Sequence, residues 1–186
     1  FDFREFNPDH IIALGGGSVI DTAKLLWLSY ENTNLDLDGL VSIDKKISLR
    51  KKATFSAIPT IFGSGAEVSS AIAFRYTDSI SKTILFNNLL LPDNVILDAN
   101  FLDFNKKQLL YPGAFDAFTH ALEGFVSVIE NSFLDNNVFD SIKVLLSIFS
   151  DLKNDKQSIK TVENLCYVSY HGLLFYNFLR NLRQEL

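Results

Sequence analysis

Hydrophobic and polar positions follow two different patterns along the chain, and the pattern changes near residue 104. Before that point, short apolar runs end in glycine or proline. Residues 10–14 lead into three glycines, and residues 54–58 lead into Pro59. Runs of this kind are typical of strands that are buried on both faces of a parallel sheet.

The same pattern predicts the elements around these two strands. A helical spacing of apolar residues covers 19–30, and the Gly- and Ser-rich stretch 61–70 predicts a loop with unusual backbone angles. Residues 71–76 and 83–86 predict a hairpin, and residues 94–97 predict a further strand.

Beyond residue 104 glycine is rare and apolar residues recur at helical spacing. This part predicts three helices, over residues 114–129, 134–152 and 158–182. The expected fold class is therefore α/β followed by all-α, with one domain over residues 1–104 and a second over residues 105–186.

Composition narrows the class of protein further. The chain is 47% hydrophobic and 21% charged, which is ordinary for a globular protein. Its net charge is −5 and no basic run stands out, so a nucleic-acid partner is not expected. No apolar stretch is long enough for a membrane span. A single cysteine and the lack of a secretory signal predict a cytoplasmic protein.

The first chemical motif joins a strand to a helix through Gly15, Gly16, Gly17 and Ser18. Glycines let backbone amides approach a ligand closely, and the amides at a helix N-terminus favour a phosphate group. The motif favours phosphate binding over a tight turn with nothing bound. It is not the G-x-G-x-x-G pattern, so an ordinary Rossmann assignment does not follow.

The second motif is the hydroxyl-rich loop over residues 59–69, which follows the second strand. Its serines and glycines could line the phosphates or the sugar of a nucleotide. The stretch is equally consistent with an ordinary surface loop, and both interpretations stay open from the residues alone.

The third motif places Asp116 and His120 four residues apart on a predicted helix. Residues at this spacing share one face, so a carboxylate and an imidazole could converge on a single Fe²⁺ or Zn²⁺ ion. On spacing alone, a surface pair without metal is the more common outcome, because a catalytic metal usually has three protein ligands.

Taken in order, these motifs resemble the iron-containing (group III) alcohol dehydrogenase family. GGGSVIDTAK at 15–24 is similar to the family's GGGSxxDxAK, and IPTIFGSGAEVS at 58–69 is similar to IPTTAGTGSEVT. LLLPDNVILDANFL at 89–102 and GAFDAFTHALEGFVS at 113–127 resemble two further family motifs. The resemblance implies a dinucleotide-binding parallel-sheet domain, then a helical metal-binding domain, as in the dehydroquinate synthase-like fold.

The resemblance also implies roles for particular residues. Asp116 and His120 would be two of the family's metal ligands, for Fe²⁺ or alternatively Zn²⁺. The residues expected to bind NAD or NADP are Gly16, Gly17, Ser18, Asp21, Thr60, Ser64, Ser69 and Lys82.

The implied activity is metal-dependent hydride transfer between NAD(P) and a small alcohol or aldehyde, in a homo-oligomer at full length. The chain lacks methionine and resembles the middle of such an enzyme, so the 186 residues alone are expected to be inactive. Two alternatives remain at this stage. One is an enzyme of the dehydroquinate synthase and glycerol-phosphate dehydrogenase lineage, and the other is a non-catalytic cofactor-binding fragment.

Overall fold

The computed structural model describes residues 3–33, 47–76, 80–126 and 132–171 of the chain. Its strands are β1 (His10–Gly15), β2 (Thr54–Pro59), β3 (Ala71–Phe74), β4 (Thr83–Phe86) and β5 (Asn94–Val95). Its helices are α1 (Phe3–Phe6), α2 (Gly17–Glu31), α3 (Lys107–Phe125), α4 (Ser132–Lys153) and, as far as it is described, α5 over residues 159–171. The expected order, α/β followed by helices, is confirmed.

The central sheet is parallel and has the strand order β1-β2-β5. β1 pairs with β2 from His10 opposite Thr54 to Gly15 opposite Pro59. The ladder continues past the strand ends, because the Thr60 amide donates to the Gly15 carbonyl at 3.0 Å. Since parallel strands end at the same edge, the glycine bend after β1 and the loop after β2 leave the sheet side by side.

Helix α2 covers one face of this sheet with a buried stripe of residues. Ile20, Trp27 and Leu28 on this stripe are fully buried. Trp27 stacks on Phe55 of β2 with ring centroids 5.1 Å apart, and its indole N–H donates to the Ala53 carbonyl at 3.0 Å. The large apolar area buried here fixes α2 on the sheet and therefore places its N-terminus at the sheet edge.

The smaller predicted elements are also present. β3 and β4 pair antiparallel, as the expected hairpin does, although β3 ends at Phe74 and residues 77–79 lie outside the described part. The strand predicted over residues 94–97 is shorter and forms only Asn94–Val95. The loop after β2 has positive φ at Gly63 (135°) and Gly65 (56°), as its composition predicts.

Helix α3 differs most from its prediction. The expected start at residue 114 is wrong, because α3 begins at Lys107 and continues through Pro112. Proline removes one helical hydrogen bond and is usually a helix breaker. Here Leu110 and Ala114, on either side of Pro112, are both fully buried, and this packing outweighs the missing bond. The predicted ends at residues 129 and 182 lie outside the described residues.

Buried side chains form two clusters, one under the sheet and one among the helices. The second cluster includes Leu110, Leu145 and Leu165, and it also includes Phe62 from the loop after β2. This loop therefore begins at the edge of the sheet, but its Phe62 side chain packs in the core of the helical part. Across the described residues, no helix is long and apolar enough to cross a membrane.

Two glycines allow the loop and α3 to touch through their backbones. A β-carbon at Gly63 would overlap the backbone of Gly113, and a β-carbon at Gly113 would overlap the carbonyl oxygen of Phe62. The Gly63 amide also donates to the Ser169 hydroxyl of α5 at 2.7 Å. The loop that follows β2 is thus in direct contact with both α3 and α5. At its contact with α3, neither backbone leaves room for a β-carbon.

We expect Gly113→Ala to lower the midpoint of thermal unfolding by at least about 5 °C, because the added methyl group must push α3 away from Phe62. Thermal unfolding followed by circular dichroism measures the effect.

Gly124→Ala is the matched control on the same helix. A β-carbon there would meet only Val138 at 3.8 Å, so the better helix propensity of alanine should stabilise the protein by up to about 1 kcal/mol. Equal effects of the two substitutions would contradict the contact between the backbones.

Candidate functional site

An open cleft of about 710 Å³ lies where the two loops at the sheet edge face α3. It brings together five of the residues that the sequence predicts for cofactor or metal binding, namely Gly16, Gly17, Ser18, Ser64 and Asp116. The glycine bend and the hydroxyl loop form one side of this cleft. Residues 108–119 of α3, which include Pro112 and Thr119, form the other side.

The glycine bend presents the start of α2 to the cleft. The amides of Val19 and Ile20 already donate to the Gly16 carbonyl, at 2.9 and 3.1 Å, and so close the first helical turn. The positive end of the α2 dipole faces the cleft at Gly17 and Ser18. This end of the helix suits the phosphate groups of a dinucleotide.

The second loop lies directly against this helix start. A β-carbon at Gly17 would come 2.6 Å from the Ser64 hydroxyl oxygen, and one at Gly16 would come 3.3 Å from the Ile61 side chain. A β-carbon at Gly17 would displace the Ser64 side chain, whereas one at Gly16 would ask the Ile61 side chain to shift by only a few tenths of an ångström. Ser64 is held at the cleft beside the free helix end.

Asp116 and His120 lie one turn apart on α3. The Asp116 Oδ1 and His120 Nδ1 atoms are 3.9 Å apart, a separation that one metal ion could bridge. The Asp116 side chain is about half exposed and faces the cleft, whereas the His120 side chain is 23% exposed and is not among the residues that line it. Within the described ranges, no group of three or more His, Cys, Asp or Glu could hold a metal ion.

Four other predicted cofactor residues do not line the cleft. Asp21 accepts a hydrogen bond from the Ala73 amide at 3.0 Å and faces β3. The Ser69 hydroxyl accepts from the Ala71 amide at 3.0 Å. Thr60 extends the strand ladder, and Lys82 lies exposed just before β4. A role for these four residues in cofactor binding stays a prediction.

The most buried charges near the cleft are not among the residues that the sequence predicts for cofactor or metal binding. Lys24 is completely buried and Glu67 is 1% exposed. Burial lowers the pKa of Lys24 to about 8, although the charges of Asp21 and Glu67 oppose the shift. The available signal was the spacing of Ile20, Lys24, Trp27 and Leu28, which places a lysine on the apolar stripe of α2.

Glu67 is the buried acidic counterpart of Lys24. Burial raises its pKa above the usual value, and its own backbone amide and the Lys24 charge offset only part of that shift. Among the described residues, its Oε1 atom has no hydrogen-bond partner. Burial also raises the pKa of Asp21. The loop after β2 thus rests on buried charges that cost stability.

Comparison with known proteins shows the family. The sequence profile of iron-containing alcohol dehydrogenases matches residues 2–99. The chain is 36% identical over 150 residues to the bifunctional aldehyde-alcohol dehydrogenase AdhE of Escherichia coli K12, covering 76% of this chain and 17% of AdhE. It is 32% identical over 157 residues to the NADPH-dependent butanol dehydrogenase of Clostridium saccharobutylicum, covering 83% of this chain and 40% of that enzyme.

A solved structure agrees with the sequence comparisons. The iron-containing alcohol dehydrogenase of Thermococcus thioreducens matches 94% of this chain with a TM-score of 0.78 and 27% identity. The chain belongs to the iron-containing alcohol dehydrogenase family. It spans 46% of the Thermococcus enzyme, and smaller shares of the two relatives above.

We expect Glu67→Gln to stabilise the protein near neutral pH, because burial disfavours the charged carboxylate in the folded protein even with the Lys24 charge nearby. The folded protein binds a proton at Glu67 at a higher pH than the unfolded chain does. The unfolding free energy of the unsubstituted protein therefore rises as pH falls towards the usual pKa of 4.5.

The gain from Glu67→Gln should accordingly be larger at about pH 8 than at about pH 5 in thermal unfolding. Glu163→Gln is the control, because Glu163 is exposed and pairs with Lys160 on the surface. A gain that is independent of pH would show that charge burial at Glu67 is not its source.

Proposed function

We propose that this chain forms the cofactor and metal side of an enzyme that transfers a hydride between NAD or NADP and a small alcohol or aldehyde. The single observation that carries the proposal is the cleft. It joins the glycine bend at Gly16, Gly17 and Ser18 to Asp116 of the metal-ligand pair. Family membership supports the same reaction class.

The chemistry would come from a bound metal and a bound dinucleotide. Fe²⁺ or alternatively Zn²⁺ would supply Lewis-acid stabilisation of negative charge on the substrate oxygen, and the nicotinamide would supply or accept the hydride. A carboxylate oxygen and an imidazole nitrogen 3.9 Å apart are a donor set that fits either metal. Asp116 and His120 would hold it, together with ligands outside the described residues.

The residues of the chain perform binding and orientation. The free amides and dipole of α2 hold the pyrophosphate, with the Ser18 and Ser64 hydroxyls beside it. Phe115 and Leu109 line the opposite wall with apolar surface, against which an apolar part of a ligand could pack. Binding by Asp21, Thr60, Ser69 and Lys82 belongs to this proposal as well.

We also propose that the chain divides into one domain over residues 1–104 and another over residues 105–186. The protein would form a homo-oligomer at full length and would be located in the cytoplasm. The butanol dehydrogenase relative is described as NADPH-dependent, which supports NADP as one of the two cofactors.

Asp116→Ala in the natural full-length protein should reduce bound iron or zinc at least tenfold, because it removes the carboxylate ligand at the cleft. Metal analysis after dialysis measures this loss, and alcohol oxidation should fall with it.

The matched control is Asp140→Ala on α4. Asp140 is 73% exposed and pairs only with Lys143 among the contacts described, so metal content and activity should stay unchanged. Normal metal content in the Asp116 variant would refute the assigned ligand.

The 186-residue chain by itself should not oxidise alcohols, even with Fe²⁺ and NAD⁺ added, because the described residues supply two metal ligands rather than three. Steady-state assays with ethanol and butanol test this. Robust turnover by the isolated chain would contradict it.

A further inference from the structure

Lys24 makes an unusual set of hydrogen bonds for a buried lysine. Its ammonium group donates to the Ala66 carbonyl at 2.7 Å, to the Ser69 carbonyl at 2.5 Å and to the Ala71 carbonyl at 3.4 Å. A lysine ammonium carries three donors, so two loop carbonyls and the first carbonyl of β3 use all of them. No carboxylate of the described residues lies within ion-pair distance of this group.

The segment that Lys24 binds continues the hydroxyl loop of the cleft. Gly63 and Ser64 contact α3 and the start of α2, respectively, and the chain then turns through a short 3₁₀ helix over Ala66–Val68. Lys24 lies on the same α2 helix, two turns beyond Gly17. Helix α2 therefore holds the loop at two places, once at Gly17 by close contact and once at Lys24 by hydrogen bonds.

These two attachments have different strengths. The contact of Ser64 with Gly17 is a van der Waals approach that does not prevent the loop from moving away. Each hydrogen bond from a charged donor to a carbonyl in a dry site is stronger than a bond between neutral groups. The bonds from Lys24 therefore oppose withdrawal of the loop from the cleft at residues 66–71, in addition to the burial of Phe62 and the bond from Gly63 to Ser169 nearer β2.

The structure assigns Lys24 as a positioning residue of the cofactor cleft, since its ammonium group fixes residues 66–71 to α2 and so holds Ser64 at the helix end. This inference rests on the proposed function of the cleft. Lys24 does not line the cleft and acts only through the loop.

A charge is useful here because a neutral side chain of similar length cannot serve three carbonyls. The charged groups that face Lys24 are Asp21 on its own helix and Glu67 on the loop, and they partly compensate its burial. The Lys82 charge offsets part of the rise that burial causes in the pKa of Asp21, and the Glu67 charge adds to the effect of burial in raising the pKa of Cys166. Because burying these charges lowers folding stability, we infer that their role is to position the loop rather than to stabilise the fold.

The test compares Lys24→Met with the unsubstituted full-length protein by hydrogen exchange and by steady-state kinetics. We expect backbone amides of residues 63–71 to exchange about tenfold faster in the variant, whereas those of α4 stay unchanged. We expect the KM for NAD⁺ or NADP⁺ to rise about tenfold and kcat to change much less.

Two further variants make the result specific. Lys52→Met is the matched control, because Lys52 donates to the Tyr30 carbonyl at the opposite end of α2, and it should change neither measurement. Lys24→Gln keeps two donors without the charge and should fall between the unsubstituted protein and Lys24→Met. If Lys24→Met does not fold, the exchange rates and the KM of Lys24→Gln test the inference instead.

The outcomes separate this inference from the proposed function. Unchanged exchange of residues 63–71 in the Lys24 variants overturns the role of Lys24, whatever the protein binds. Faster exchange with an unchanged KM for the dinucleotide overturns it as well. Failure of the unsubstituted protein to bind either dinucleotide overturns the proposed function instead.

Discussion

The structure depends on one contact, in which the loop after β2 meets α3 through two backbones that carry no side chains. Gly63 and Gly113 allow this approach, and Phe62 and Ser169 extend it into the helical core and to α5. Because the same loop leaves the edge of the parallel sheet, the contact sets the distance between the glycine bend and Asp116. The width of the candidate cleft is thus decided by where two glycines touch.

Buried charged side chains also hold this loop in place. Glu67 lies on the loop, and Lys24 and Asp21 lie on α2 beside it. Burial shifts the pKa of each group in the direction that favours its neutral form. Their side chains contribute contacts that apolar residues cannot make, above all the three bonds from Lys24 to two loop carbonyls and the first carbonyl of β3. Charged groups that are buried at a cost in folding stability, and that hold a loop in place, are typical of a functional site.

Much of the fold could be predicted from local pattern, since the first two strands, the hairpin and the helical second half all have clear periodicity. Pattern failed at Pro112, where burial of Leu110 and Ala114 overrides the local preference of proline. The candidate site was predicted only in part. Gly16 to Ser18, Ser64 and Asp116 share the cleft, whereas Asp21 and Ser69 bond to the β3 region instead.

The sequence by itself determined the elements, their order and the family, because strand and helix periods, glycine clusters and motif order are local properties of the chain. Only the tertiary structure decided which motif residues meet. The reason is that contacts such as Gly63 with Gly113, or Lys24 with the Ala66 carbonyl, join residues that are 50 and 42 positions apart. No local pattern carries the distance between such residues, and packing of the whole chain sets it.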